Sequence, residues 1–170
     1  MGVVKDPDNE QTLIRLIGTY EKSLLRLCCV SLRDASLAQD AVQETFLRAY
    51  RGLDGFRRES GERTWLVRIA MNVCRDMRRS AWFRYVDRRV TLDALQLARE
   101  DASDTSIALM TEVMRLPRKE LEAVWLYYYE DMKLREIAQA LGVSASAVGI
   151  RLSRARERLR RALEGGESDE

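Results

Sequence analysis

The sequence predicts an all-α fold made of two small helical domains joined by a flexible linker. Three observations carry that expectation. The 170 residues contain only 2 Pro and 9 Gly among abundant Leu, Arg, Ala and Glu, a mixture that favours helices joined by short turns over a sandwich or barrel. Apolar side chains recur at spacings of three and four, the period of an amphipathic helix. The periodicity weakens from Val90 to Ser106, where LDALQLAREDASDTS is acidic, small and polar, the composition of a tether. The expected boundaries are therefore a first domain over 10–89, a linker over 90–105, a second domain over 106–164 and an acidic tail over 165–170. This length suits one compact domain or two small ones and is too short for a large multidomain enzyme.

A first helix is expected over Leu13 to Leu32, with Leu13, Ile14, Leu16, Ile17, Tyr20, Leu24, Leu27 and Cys28 forming its apolar stripe. A second follows from Ser36, taken as its N-cap, and ends near Gly52. Its apolar side carries Leu37, Ala41, Val42, Thr45, Phe46, Ala49 and Tyr50, and its opposite side Asp40, Gln43, Glu44 and Arg48. Three glycines make 52–61 a loop, after which a third helix starts near Thr64 and buries Trp65, Leu66, Ile69, Ala70, Val73 and Met77. The second unit begins near Thr105 and breaks at Leu116-Pro117. Its next helix runs through Leu121, Val124, Trp125 and Tyr128, with a tight turn near Asp131.

The segment Leu134 to Leu163 has the most specific local pattern. Ile137, Ala138 and Leu141 give a short helix its inner face, Gly142 supplies a left-handed turn, Val143 plugs the corner and Ser144 caps the next helix. Val148, Leu152, Ala155 and Leu159 line the inside of that second helix. Small or apolar residues at 138, 142, 143 and 148 are what a helix-turn-helix requires, because two helices crossing steeply on a short turn tolerate no bulk at their contact. Arg151, Arg154, Arg158 and Arg161 recur at three, four and three on the outer face, a basic stripe suited to phosphates or guanine edges.

Charge is placed unevenly although the net charge is only +2. Arg57 to Arg89 holds ten Arg against four acids, Asp93 to Glu112 five acids against one Arg, and Ser146 to Leu163 six Arg against Glu157. Two basic blocks separated by an acidic stretch suggest two contact surfaces for a polyanion. Histidine is absent, which excludes Ser-His-Asp triads and histidine-ligated metal sites. Gly52, Gly55 and Gly61 form no phosphate-binding loop with Lys, and no carboxylates recur at metal-ligand spacing, so neither catalysis nor a cofactor is expected. Cys28, Cys29 and Cys74 show no CxxC spacing and read as small core residues of a reduced, cytoplasmic protein. No signal peptide is expected from the polar start MGVVKDPDNEQ, and no membrane insertion, since no apolar run approaches about 20 residues.

DAVQETFLRAYRGLDGFR over Asp40 to Arg57, RTWLVRIAMNVCRDMRR over Arg63 to Arg79, and LP followed by the helix-turn-helix from Leu116 occur in an order and at separations that resemble the sigma-70 family of bacterial RNA polymerase initiation factors. The resemblance is to the small extracytoplasmic-function group, which keeps only the second and fourth conserved regions, and it covers about Leu13 to Leu163. It implies binding of core RNA polymerase through Asp40, Gln43, Glu44 and Arg48. It implies recognition and melting of the minus-ten element through Trp65, Arg68, Asn72, Arg75, Arg78 and Arg79, with the loop from Phe56 to Arg63 beside a flipped base. Contact with minus-thirty-five DNA would fall to Ser146, Gly149, Ile150, Arg151, Ser153, Arg154 and Arg158. Promoter DNA and an anti-sigma factor are further implied partners. Where many members carry Thr-Val-Lys/Arg-Ser this chain has Ala147, Val148, Gly149 and Ile150, so a different minus-thirty-five sequence is expected. An autonomous helix-turn-helix regulator, binding duplex DNA as a dimer, and a helical protein that binds acidic partners are the competing expectations.

Overall fold

The computed structural model describes residues 7–56, 60–80 and 107–166. The expected linker and residues 167–170 of the tail lie outside them. All regular structure among the described residues is helical. The first half comprises α1 (Pro7–Leu32), α2 (Ala35–Gly52), a single 3-10 turn (Leu53–Gly55) and α3 (Glu62–Arg79). The second comprises α4 (Ile107–Arg115), α5 (Arg118–Val124), a wide π-type turn (Trp125–Tyr129), α6 (Leu134–Leu141) and α7 (Ala145–Gly166).

α1 starts six residues before its apolar stripe does. Its first turn is polar and therefore silent in the periodicity, but Asp8 and Glu10 there favour the positive end of the helix dipole. The cap of α2 also differs from expectation. Arg33 adopts a left-handed conformation at φ 57° and reverses the chain directly after α1, which leaves Asp34 extended at the N-cap. The Leu37 amide donates to Asp34 Oδ1 at 2.9 Å, while Ser36 lies inside the first turn and is exposed.

Burial in the first half follows the stripes. Leu16, Leu24, Leu27 and Leu66 are each 2% exposed or less, worth roughly 1.5–3 kcal/mol apiece before the entropy of ordering is deducted. Cys28, Cys29 and Cys74 are free and fully buried among them. A hydrogen bond with Cys74, together with burial, pushes the Cys28 thiol up, and burial pushes Cys29 up to about 12. Cys28 and Cys29 thus pack as core groups with little thiolate character.

In the second half Met110, Met114, Leu121, Trp125, Leu126, Ile137 and Leu152 form the core. The helix break falls at Leu116-Pro117 as expected. Past α5 the backbone widens, with Trp125 and Tyr129 stacked at 4.2 Å, and Asp131 turns the chain at φ 51°. The two halves pack together: α6 lies on α3, and α5 lies on α1. Across this boundary Arg33 Nη2 donates to the Leu116 carbonyl at 2.7 Å, and Arg118 Nε donates to the Ser31 carbonyl at 3.1 Å.

Candidate nucleic-acid and polymerase interfaces

On α2 the pattern that buries Val42 and Phe46 turns Asp40 and Gln43 to solvent. Glu44 is half-buried and accepts from Arg48 Nε at 2.9 Å, and Arg48 Nη1 reaches Asp76 Oδ2 of α3 at 3.0 Å. Both carboxylates raise the Arg48 pKa. The four polar residues share one helix side, but Arg48 bridges laterally to α3, leaving Asp40, Gln43 and the edge of Glu44 as the outward part.

The third helix divides its expected contacts into two groups. Arg68 and Arg79 are exposed. Asn72, Arg75 and Arg78 are half-buried, and Arg75 and Arg78 reach the second half. Arg75 Nη1 donates to Asn72 Oδ1 at 3.3 Å and its Nη2 to the Leu141 carbonyl of α6 at 3.4 Å. Arg78 Nη1 donates to Ser31 Oγ at 2.5 Å and lies 3.4 Å from Glu122 Oε1; Ser31 in turn donates to the same Glu122 oxygen at 2.7 Å. Trp65 packs on the core and stacks on Phe56, with centroids 4.4 Å apart and planes at 27°. A narrow cleft of about 170 Å³ opens beside that stack, lined by Asn9, Thr12, Arg15, Leu53 and Glu62 as well as the two rings.

The helix-turn-helix forms as its residues dictate. Gly142 adopts φ 67°, ψ 36°, a conformation that favours glycine, and Ser144 Oγ accepts from the Ala147 amide at 3.1 Å. Val148, Leu152 and Ala155 are buried beneath, so Ser146, Ile150, Ser153 and Arg154 face outward and Gly149 and Arg151 sit at the edge.

The arginine stripe is not uniform. Among the described residues Arg151 and Arg154 meet no carboxylate, whereas Arg158 Nε lies 3.0 Å from buried Glu120 Oε2 and Arg161 Nε lies 2.9 Å from Glu157 Oε1. Arg151, Arg154 and Ile150 line an open groove of about 500 Å³ with Pro117, Arg118 and Lys119. Sequence reasoning did not single out Arg118 or Lys119; the basic pair directly after a proline helix break was the available signal. It also missed the acids at 120, 122 and 130, whose presence in an otherwise apolar helix and turn marks buried pairing. Glu130 accepts from Ser23 Oγ at 2.7 Å, and burial raises its pKa against the lowering effect of Ser23, Arg63 and Arg26.

Two helical units, one built around a helix-turn-helix with free arginines on its outer helix, define a DNA-binding transcription protein. The comparisons specify which. Residues 16–84 match the family description for sigma-70 region 2, and residues 106–159 match that for sigma-70 region 4. The ECF RNA polymerase sigma factor SigM of Mycobacterium tuberculosis is 33% identical over 150 residues, covering 88% of this chain and 76% of that protein. SigW of Bacillus subtilis is 30% identical over 162 residues, covering 87% of each. Among solved structures, CnrH in complex with the cytosolic domain of CnrY aligns with TM-score 0.67 at 26% identity over 92% of this chain and 90% of that one. RpoE of Bartonella quintana, in complex with the anti-sigma factor NepR, aligns with the same TM-score at 23% identity over 97% and 100% and shares the fold. The chain belongs to the sigma-70 family, as an extracytoplasmic-function RNA polymerase sigma factor that binds core polymerase and directs it to promoters. The region 2 match over 16–84 favours this over an autonomous helix-turn-helix regulator. Among the described residues no helix is long and apolar enough to cross a membrane.

Proposed function

We propose that this sigma factor reads its promoter with two separate units, residues 10–89 and 106–164, joined through 90–105. In the first unit, Asp40, Gln43, Glu44 and Arg48 form the contact with core polymerase. Trp65 and Asn72 hold an unstacked base of the minus-ten element, with Arg68, Arg75, Arg78 and Arg79 on the backbone. Unstacking costs a few kcal/mol per step, which stacking and phosphate neutralisation offset. In the second unit Arg151 and Arg154 reach guanine edges or phosphates of the minus-thirty-five element, Ile150 meets a thymine methyl, Gly149 lets the helix approach closely, and Ser146 and Ser153 contact the flanking backbone, whereas Arg158, expected on DNA as well, is engaged by Glu120.

The observation that carries this reading is the division of the stripe. Among the described residues Arg151 and Arg154 pair with no carboxylate, and the one acid lining their open groove, Glu120, is engaged by Arg158, a placement that leaves their charge for a polyanion. The chain acts in the cytoplasm and supplies recognition, with bond formation left to the polymerase. An anti-sigma factor is a further partner; the likeness to CnrH, solved with the cytosolic domain of CnrY, and to RpoE, solved with the anti-sigma factor NepR, supports it.

Transcription reconstituted from purified core polymerase tests the proposal. Promoter-specific RNA is expected only when this chain is added, and the double substitution Gln43→Ala, Glu44→Arg is expected to abolish co-purification with core while the thermal transition is kept. Unchanged core binding by the double variant would remove α2 from the polymerase interface.

A further inference from the structure

A cavity of about 630 Å³ shares no lining residue with the groove of Arg151 and Arg154 or with the cleft beside the Phe56 and Trp65 rings. Its volume falls in the range of about 300–1,000 Å³ typical of small-molecule sites. Three cations line it from three separate elements: Arg26 from α1, Arg63 from the first turn of α3 and Lys133 from the turn before α6. Arg63 is fixed in the wall, since its Nη1 donates to the Glu130 carbonyl at 2.6 Å. Two of the three acids that line the same space are already engaged. Glu136 Oε2 accepts from the Lys133 amide at 2.7 Å as part of the cap of α6. Glu130 accepts from Ser23 Oγ at 2.7 Å and lies 3.9 Å from Arg63 Nη2, leaving Asp131 exposed at the rim. Burial raises the Glu130 pKa in spite of Arg63 and Arg26, so this carboxylate is a poor counter-ion for them.

The placement of the charge separates this site from a DNA surface. Arginines in a row, such as Arg151 and Arg154, suit a strand whose phosphodiesters carry their charges in a row. Cations that line one recess from three directions suit a terminal phosphoryl group, which concentrates about two negative charges and three acceptor oxygens at one point. The rest of the wall supplies what a nucleoside needs. Thr19, Ser23 and Thr64 bring hydroxyls, and Tyr20 and Tyr129 bring aromatic rings on which a base can stack. Tyr129 is itself backed by Trp125, with centroids 4.2 Å apart, which fixes its ring. We propose that this cavity binds a nucleoside phosphate, with the terminal phosphoryl group among Arg26, Arg63 and Lys133 and the base against Tyr20 and Tyr129, at a site separate from those that read the promoter. The phosphoryl group takes the place of Glu130 as the partner of the two arginines. A ligand held by groups from α1, α3 and the turn before α6 favours the folded chain by mass action.

The test titrates the full chain, without magnesium, with each of the common ribonucleoside triphosphates, and separately with inorganic phosphate and with adenosine. Binding is read by calorimetry and by the shift in Tm. Saturable binding of one molecule per chain with a raised Tm is expected for at least one nucleotide, and binding at least about tenfold weaker for phosphate or adenosine alone. Arg26→Gln and Lys133→Gln stand on different elements, so one remains informative where the other does not fold. Each is expected to weaken nucleotide binding by about tenfold. Glu130→Gln keeps an acceptor for Ser23 and removes the competing charge, and is expected to tighten nucleotide binding by about threefold. Single-stranded and duplex oligonucleotides without terminal phosphates supply the phosphodiester alternative. If Arg26→Gln and Lys133→Gln weaken oligonucleotide binding and leave nucleotide binding unchanged, the cations belong to a DNA surface and the proposal falls. It falls equally if no nucleotide saturates the chain at millimolar concentration, or if Glu130→Gln weakens the binding.

Discussion

Arg154 and Arg158 occupy the same stripe, yet the structure assigns their removal opposite consequences. Arg154 is exposed and meets no carboxylate among the described residues. Truncating it to Ala should leave stability unchanged and remove one cation from the DNA-facing side. Losing one phosphate contact lowers the slope of log affinity against log salt by about 0.9, and losing a bidentate contact to guanine costs about 1–3 kcal/mol of discrimination. Arg158 is 59% exposed, but its partner Glu120 is 9% exposed, and among the described residues no hydrogen bond to Glu120 Oε2 stands in for this ion pair. Arg158→Ala therefore strands a buried carboxylate. The cost is about 1 kcal/mol, at the low end for an unpaired buried group because the arginine is open to solvent, and it corresponds to a fall of about 2–4 °C in Tm for a chain of this size. Fluorescence anisotropy of each holoenzyme on a promoter duplex across a potassium chloride series, paired with thermal melts, separates the two effects. The reasoning fails if Arg158→Ala reduces the salt slope as much as Arg154→Ala does and leaves Tm unchanged.

Two further substitutions probe the frame that positions these arginines. A Cβ at Gly142 would meet nothing within 4 Å, so Gly142→Ala should cost only the left-handed backbone, about 1–2 kcal/mol, and Gly142→Asn less, as read from urea unfolding; equal losses for Ala and Asn would contradict that origin. At Glu130 burial raises the folded-state pKa above the ordinary carboxylate value, so the penalty on the charged form is present at neutral pH and relieved as pH falls through the raised value. Glu130→Gln should accordingly be more stable than wild type at pH 7, and melts at decreasing pH should show that advantage shrinking; an advantage that grows on acidification refutes it.

The helices themselves were legible because a buried stripe leaves a period in the sequence. Leu16, Leu24 and Leu27 on α1, and Val148, Leu152 and Ala155 on α7, are all buried as their spacing requires. The turn of the helix-turn-helix was legible for a different reason: only glycine takes the φ found at 142 without cost. The ends were less so. Polar first turns carry no apolar period, which hid the start of α1. The left-handed Arg33 moved the cap of α2 from Ser36 to Asp34, and nothing local to an arginine announces a positive φ. The charge of each arginine could be read, but not its partner, since Arg158 to Glu120 and Arg78 to Glu122 join residues separated by tens of positions. A sequence stripe states where cations stand and leaves open which of them the fold has already neutralised.

The corner between α1 and α2 ties the integrity of one half to the presence of the other. A left-handed arginine costs roughly 1–2 kcal/mol relative to an ordinary backbone conformation, and burial further disfavours its guanidinium, lowering the Arg33 pKa. What offsets these costs is a carbonyl from across the boundary, that of Leu116. The expense thus falls within one unit and the return comes from the other, so the corner is at its most secure while the halves remain docked. Amide exchange at Arg33, whose N–H donates to the Cys29 carbonyl at 2.7 Å, and at Leu37, whose N–H donates to Asp34 Oδ1, is then a local gauge of the docking of the two halves, with no label required on either half.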